Sequence, residues 1–315
     1  MYIARTLCRL PTCFLLPHFL TFKKTVMQPK PAFPTNPCRS RQIANIFFLI
    51  AFSMSFSLRG FAQAAGDKPV YFSVTYLKVL PGKDGKYQDL VKKYGHKLNQ
   101  YFLKEGAILG WYLHEVIVPS GSAREYDYAA VNVSTNFPEL LDDTISIAGV
   151  IKKVFPGTTN KMVDSIFAQY GQARTVVKRE IYTGVSQLNM DAPTTKYVTL
   201  AFMKPTPGKE ADYVKMEKEV WLPIHKARME LGVIKDWGLY EKILPYDTRS
   251  DFNYVTTEFY DDLNSVVNSK YIEAFSKAWP GQDANKIGQN AEDLRKMVRS
   301  EIWKVIDYVD KSNTK

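Results

Sequence analysis

Residues 71–78 (YFSVTYLK) alternate apolar and polar positions with a two-residue period, and most are β-branched or aromatic. That pattern predicts a β-strand. Pro81-Gly82 punctuates its end. Apolar residues then fall at 87, 90, 94, 98 and 101, the 3.6-residue stripe of a helix with one buried face. Strands are predicted at about 107–118 and 126–134, with Pro119-Ser120-Gly121-Ser122 turning the chain between them. A less regular helical region and a closing strand at about 175–187 complete the series.

The series occurs twice. With an offset of 126, Tyr71 to Lys78 overlays Tyr197 to Lys204, and Pro81-Gly82-Lys83 overlays Pro207-Gly208-Lys209. The same offset pairs Tyr87/Tyr213, Gly106/Gly232, Trp111/Trp237, Glu115/Glu241, Pro119/Pro245 and Tyr128/Tyr254. The spacing then slips, yet Phe155-Pro156-Gly157 still matches Trp279-Pro280-Gly281, and Arg174 and Glu180 match Arg295 and Glu301. The helical stripe also returns, at 213, 216, 220, 224 and 227. Self-similarity of this kind identifies a duplicated domain, 69–190 and 195–310, joined by the linker Asn189 to Pro193.

Each unit reads βαββαβ, the ferredoxin-like split arrangement of the α+β class. Its antiparallel sheet carries helices on one face only, so the other face must be covered. Two such sheets packed face to face cover each other. Because one chain supplies both sheets, a monomer is expected. Element order, the Tyr-x-x-x-Lys…Pro-Gly-Lys opening and the Gly…Trp strand resemble the dimeric α/β-barrel superfamily, which includes antibiotic-biosynthesis-monooxygenase-like, NIPSNAP-like and stress-responsive barrel proteins. The resemblance spans nearly all of 69–310 and implies a single-chain barrel. Its marks are architectural, and no active-site motif transfers with them. Chlorite-dismutase-like proteins also pair two such units in one chain, which makes haem a cofactor to consider by analogy alone.

Charge changes the picture at the N-terminus. Residues 1–64 hold eight Lys/Arg and no Asp or Glu, leaving 34 basic against 32 acidic residues in 65–315, so the net +10 belongs to the leader. Ile43 to Ser57 is uncharged, follows Arg39 and Arg41, and leads to Ala62-x-Ala64. This is the layout of a secretory signal peptide cleaved near 64/65. Arg59 stops the run short of the ~20 residues of a transmembrane helix. Export to the periplasm or the cell exterior is therefore expected, with no membrane attachment after cleavage. Residues 1–26 fit neither reading, and translation from Met27 would make them a start-site artefact. Cys8, Cys13 and Cys38 all lie in the leader, so the mature chain has no disulfide, thiolate metal site or cysteine nucleophile. Its Lys-rich helix (Lys83 to Lys97) is interrupted by Asp84 and Asp89, a solvated face rather than a nucleic-acid patch.

Two constellations stand out. Trp221, His225 and Arg228 are spaced i, i+4, i+7 on the second unit's first helix, where the first unit has Gly95, Asn99 and Phe102. A neutral His can serve as base or haem ligand, and Arg can clamp an anion. The alternative is that Trp221 packs on a neighbouring helix while His225 and Arg228 lie at the surface. Pro223 beside them predicts a kink or break. On the strands, Tyr126, Tyr128, Phe252 and Tyr254 share one face, and the opposite face is aliphatic (Ala129, Val131, Val133; Val255, Thr257, Phe259). We assign the aliphatic face to the helices and the aromatic face to the barrel interior, with Tyr128, Tyr254, Ser73 and Thr199 as ligand-binding residues. Glu115/Glu241 and Glu180/Glu301 read as structural ion pairs with Arg174/Arg295 or as strand-edge charges. His96, His114 and His225 are too widely spaced for a metal signature. The expectation is an exported barrel binding a small hydrophobic or aromatic molecule without evident catalysis. The alternatives are a haem-handling or monooxygenase-like enzyme using His225 and Arg228, and a filled structural or interaction module.

Overall fold

The computed structural model describes residues 68–141, 146–189, 192–246 and 250–313. The leader, with the signal-peptide and start-site readings, lies outside the described residues. The first half runs β1 (Tyr71–Val79), α1 (Asp84–Leu90 and His96–Lys104 with a π-helical turn, Val91–Gly95, between them), β2 (Gly110–Val118) and β3 (Tyr128–Ser134). It continues through α2 (Phe137–Leu141), α3 (Ile147–Val154), α4 (Asn160–Gly171) and β4 (Arg174–Gln187). The second half repeats the order: β5 (Tyr197–Pro205), α5 (Glu210–Met216 and Leu222–Glu230 around a π turn, Glu217–Trp221), β6 (Asp236–Leu244) and β7 (Tyr254–Tyr260). Then come α6 (Leu263–Val267), α7 (Tyr271–Ala278), α8 (Ala284–Leu294) and β8 (Arg295–Asp310). The two π turns fall at matching positions, and only the second is followed by a proline, so Pro223 does not cause the irregularity. Instead of breaking the helix, Pro223 sits at the start of the segment that follows the turn, where its missing N–H costs least.

All eight strands close into one antiparallel barrel in the order β1-β3-β2-β8-β5-β7-β6-β4. Each half contributes a four-stranded sheet, β4-β1-β3-β2 or β8-β5-β7-β6. The long fourth strands join them, because each pairs with its own first strand and with the other half's second strand. Strand β8 is 16 residues long and β4 is 14, and the extra length removes both open edges. This is the expected α+β barrel, with helices outside and one apolar core within.

Along β3 and β7 the faces of the sheet are the reverse of the sequence expectation, while Tyr126 and Phe252, just before those strands, lie in the barrel core as expected. The barrel interior takes the aliphatic face, Ala129 and Val131 of β3 and Val255 and Phe259 of β7, packed with Val74, Tyr76, Val198, Leu200 and Phe202. Tyr128 and Tyr254 face the helices, each edge-on to the matching helix tyrosine (Tyr87 at 5.0 Å, Tyr213 at 5.1 Å between ring centres). The physical reason lies in the hydroxyl. Tyr128 donates to Asp84 (2.7 Å) and accepts from Gln88 (2.9 Å) at the helix start, so the helix layer satisfies its hydroxyl. Ser73 is likewise buried under the outer layer, accepting from Arg179 at 2.8 Å.

Candidate functional site

The outer layer of the second half contains a cavity of about 410 Å³. Strands β5, β7 and β8 form its floor and helices α5, α7 and α8 its walls. Three residues named from the sequence meet there: Thr199, Trp221 and His225. Tyr128, Tyr254 and Ser73 do not reach it; they are packing residues beneath the helices. The rest of the wall is mostly apolar, with Ile224, Ile272, Phe275, Ile287 and Met297, the composition of a small-molecule site.

His225 is buried, not at the surface, and its ring stacks on Trp237 at 5.0 Å and 15°. Trp111 and Trp237 are both buried as the shared anchors expected of them. The Nδ1 of His225 lies 3.4 Å from the Glu258 carboxylate and 3.3 Å from an Arg228 nitrogen. Burial lowers the His225 pKa to about 4; Arg228 adds to the shift and Glu258 opposes it, so the imidazole is neutral at physiological pH.

Arg228 is fully buried and does not line the cavity. Its Nε donates to the Ser269 carbonyl (2.9 Å), one terminal nitrogen to the Tyr260 hydroxyl (2.9 Å) and the other to Glu258, while the Tyr271 ring lies 3.9 Å from the guanidinium. Glu258 also accepts the hydroxyls of Tyr260 and Tyr271. Burial pushes the Glu258 carboxyl up, but Arg228 and His225 outweigh it and hold it below the usual carboxylate range. The anion clamp expected of Arg228 is therefore a correction: its donors are committed within the protein, and its role is to fix Glu258 behind His225.

Sequence reasoning missed Glu217. It opens the π turn of α5, lines the cavity, and is almost completely buried with Arg295 3.5 Å away as its ion-pair partner. Burial pushes its pKa up to about 7 against the opposing pull of Arg295. A carboxyl poised near neutrality on an apolar cavity is suited to proton transfer. The indole nitrogen of Trp221 is buried without a hydrogen-bond partner. The available signal was the repeat itself, since the offset of 126 places Val91 opposite Glu217 and Asn132 opposite Glu258.

The repeated glutamates Glu180 and Glu301 do not pair with Arg174 and Arg295. They point into one end of the barrel. Glu180 accepts from Tyr182 (2.6 Å) and lies near Lys178 and Lys242, while Glu301 accepts from Tyr126 and Trp303 (2.8 Å each) and Arg299 (3.0 Å). Among the described residues, no group of three or more His, Cys, Asp or Glu is placed to hold a metal ion, and no helix is long and apolar enough to cross a membrane.

No protein-family model and no curated protein matches the chain. Solved structures resemble it at low identity. One is a chlorite-dismutase-like protein, TA0507 (14% identity over 76% of this chain and 95% of that one, TM-score 0.45). Another is a monooxygenase-like protein from Fusobacterium nucleatum (12%, 77% and 94%, TM-score 0.49). A third is a haem-binding protein from Thermus thermophilus (9%, 76% and 92%, TM-score 0.43). At these values the likeness carries no argument, and the chain's chemistry has to be argued from its own residues.

Proposed function

We propose that this chain is an exported, monomeric small-molecule-binding barrel whose principal site is the outer cavity of the second half. One observation carries the reading: Glu217, His225 and Trp221 converge on an apolar cavity only in that half, at positions where the other half has Val91, Asn99 and Gly95. The ligand is a largely apolar molecule with a polar group that can meet the Trp221 N–H and the Glu217 carboxyl. Native mass spectrometry of protein purified from its own host should show a co-purifying small molecule, lost in an Ile287→Trp variant that fills the cavity. A bare polypeptide mass in both proteins would overturn the reading. Light scattering and the intact mass of the exported form test the monomer and the cleavage near residue 65.

A second reading, an enzyme of the haem-handling or monooxygenase-like kind, is favoured by the state of His225. Its imidazole is neutral, it forms part of an apolar wall, and its Nδ1 faces the Glu258 carboxylate. That donor set fits haem: His225 would hold the iron, Glu258 would orient the imidazole, and Arg295 at the wall would meet a propionate. Bound haem would supply a redox-active iron. Glu217 would then hold or release a proton beside it. A Soret band on adding haem, lost in His225→Ala, supports this reading; an unchanged spectrum rejects it and leaves binding alone.

A further inference from the structure

The barrel interior is not completely filled. Between the two sheets lies a cavity of about 220 Å³, separate from the outer cavity and lined by both halves. Most of its wall is aliphatic and aromatic, including Phe72, Val74, Val131, Leu200, Phe259 and Trp303. An apolar void of about 150 Å³ already takes a benzene-sized guest. One end is plugged by the hydrogen-bonded Glu180 and Glu301 clusters. At the other end the chain segment linking the halves (Asn189, Ala192, Pro193, Thr194) crosses the opening, tied down by Asp236, which accepts from the Asn189 backbone N–H (2.8 Å) and from Gln187 (2.7 Å).

A second, independent observation points to an occupant. His114 of β2 projects into this wall, is more than nine-tenths buried, and its Nδ1 has no hydrogen-bond partner. Its ring lies 5.5 Å from that of Trp303. The equivalent position in the second half is Tyr240, so the imidazole is peculiar to one side of the barrel, although the Thr257 hydroxyl in the same wall is also buried without a partner. A buried nitrogen without a partner carries a desolvation penalty that a ligand hydroxyl would relieve. Apart from the histidine and four tyrosines, Asp236 is the one ionisable side chain in the wall, and a negative charge there disfavours anions.

We infer that the barrel interior is a second binding site, for a neutral planar aromatic compound bearing a single hydroxyl, such as a phenol or naphthol, held by His114. This goes beyond the outer-cavity reading and does not depend on it. Calorimetric titration of the full mature chain with 2-naphthol, and with naphthalene as the counterpart lacking the hydroxyl, tests it. Wild-type protein should bind naphthol about tenfold more tightly than naphthalene. His114→Leu, which keeps apolar volume, should bind the two equally. Val131→Phe and Val255→Phe, each filling the interior from a different strand, should abolish both, with far-UV circular dichroism showing the fold intact. Ile287→Trp, which fills the outer cavity, should leave naphthol affinity unchanged. Absence of naphthol binding, a preference surviving in His114→Leu, or binding abolished by Ile287→Trp but not by the interior fillers would each overturn the inference. The last outcome would transfer the ligand to the outer cavity and leave the first reading standing, so the two fail separately.

Discussion

The two halves of the barrel share a strand order, paired π turns and buried tryptophans, yet they treat the space between helix and sheet differently. In the first half, Tyr94, Phe102, Leu103 and Tyr170 pack on the strand residues Leu77, Trp111, Leu113 and Tyr128, and Tyr94 and Tyr170 also reach Ile151, Val163 and Ile166 of α3 and α4. The Tyr170 hydroxyl lies 3.4 Å from where a side chain on Gly95 would begin, and it donates to the Leu90 carbonyl at 2.9 Å. In the second half, Trp221 takes the Gly95 position, and Ala291, at the matching distance from Arg295, replaces the Tyr170 ring. The space beside Trp221 stays open, with Glu217 and His225 in its wall. The same scaffold thus carries a packed module on one side and a chemically equipped cavity on the other. Apolar filling stabilises; exposing ionisable groups to an apolar cavity costs stability and suits a ligand.

The largest expected effect breaks the polar cluster that only the second half has. Arg228→Met leaves Glu258 buried without its counter-charge, and such a loss costs about 3–5 kcal/mol. The matching first-half changes, Phe102→Met and Asn132→Ala, should each cost less than about 1.5 kcal/mol, since no buried charge is exposed. Urea unfolding of the three variants measures the difference directly. Near-equal losses would mean that the cluster is ordinary packing.

Proton linkage sharpens the contrast, because its sign differs by site. His114 falls from 6.5 to about 4 in the folded protein, chiefly through burial, with an opposing pull from the Ala129 backbone. The unfolded chain therefore binds the extra proton first. The stability tied to neutral His114 is complete above pH 6.5 and is lost as pH falls toward 4, a difference of about 3 kcal/mol that His114→Leu should abolish. Glu217 runs the other way: its folded pKa rises from 4.5 to about 7, so stability is lost as pH climbs between those values. Glu217→Gln should match wild type below pH 4.5 and gain up to about 3 kcal/mol above pH 7, less what Arg295 loses with its partner. Urea midpoints at pH 4, 6 and 8 separate the two slopes. Parallel profiles for wild type and both variants would show that neither group is held as its surroundings imply.

How much of this could be read from the sequence follows from what periodicity encodes. Repeated Pro-Gly turns, Tyr-rich strands and the offset of 126 made the barrel and its two-part build legible. His225 and Trp221 stood out because the other half lacks them. Glu217 did not: within Lys215-Met216-Glu217-Lys218-Glu219 it looks like one charge of a solvated face, yet the structure buries it beside Met216 at the turn where the helix becomes π. The sheet faces were assigned backwards because alternation shows that a strand has two faces without showing which lies inside. Both faces here carry large buried side chains, and only closure of the barrel decides between them.

Opening the first half should have a moderate effect. Tyr170→Ala removes a half-buried ring and the hydrogen bond to Leu90, an expected loss of about 2–3 kcal/mol. The variant should also bind small aromatics that the wild-type first half excludes. Ala291→Tyr, the reciprocal change, should reduce binding in the second half, and calorimetry of the pair shows whether one residue sets the difference.

The smallest effect tests whether the asymmetry is confined to the cavity or runs through the scaffold. Helices α4 and α8 occupy matching places and begin on equivalent caps: Thr159 accepts from the Met162 N–H at 3.3 Å, and Asp283 accepts from the Asn285 N–H at 2.9 Å. Each cap satisfies one of the backbone donors that a helix start leaves open, so Thr159→Ala and Asp283→Ala should each cost about 1 kcal/mol. If the halves differ only where a ligand is held, the two losses should agree closely in urea unfolding, and neither should alter ligand binding. A much larger loss at Asp283, or a change in ligand affinity on removing that cap, would mean that α8 is strained by the open space beside it, and the difference between the halves would then belong to the whole outer layer instead of a few residues.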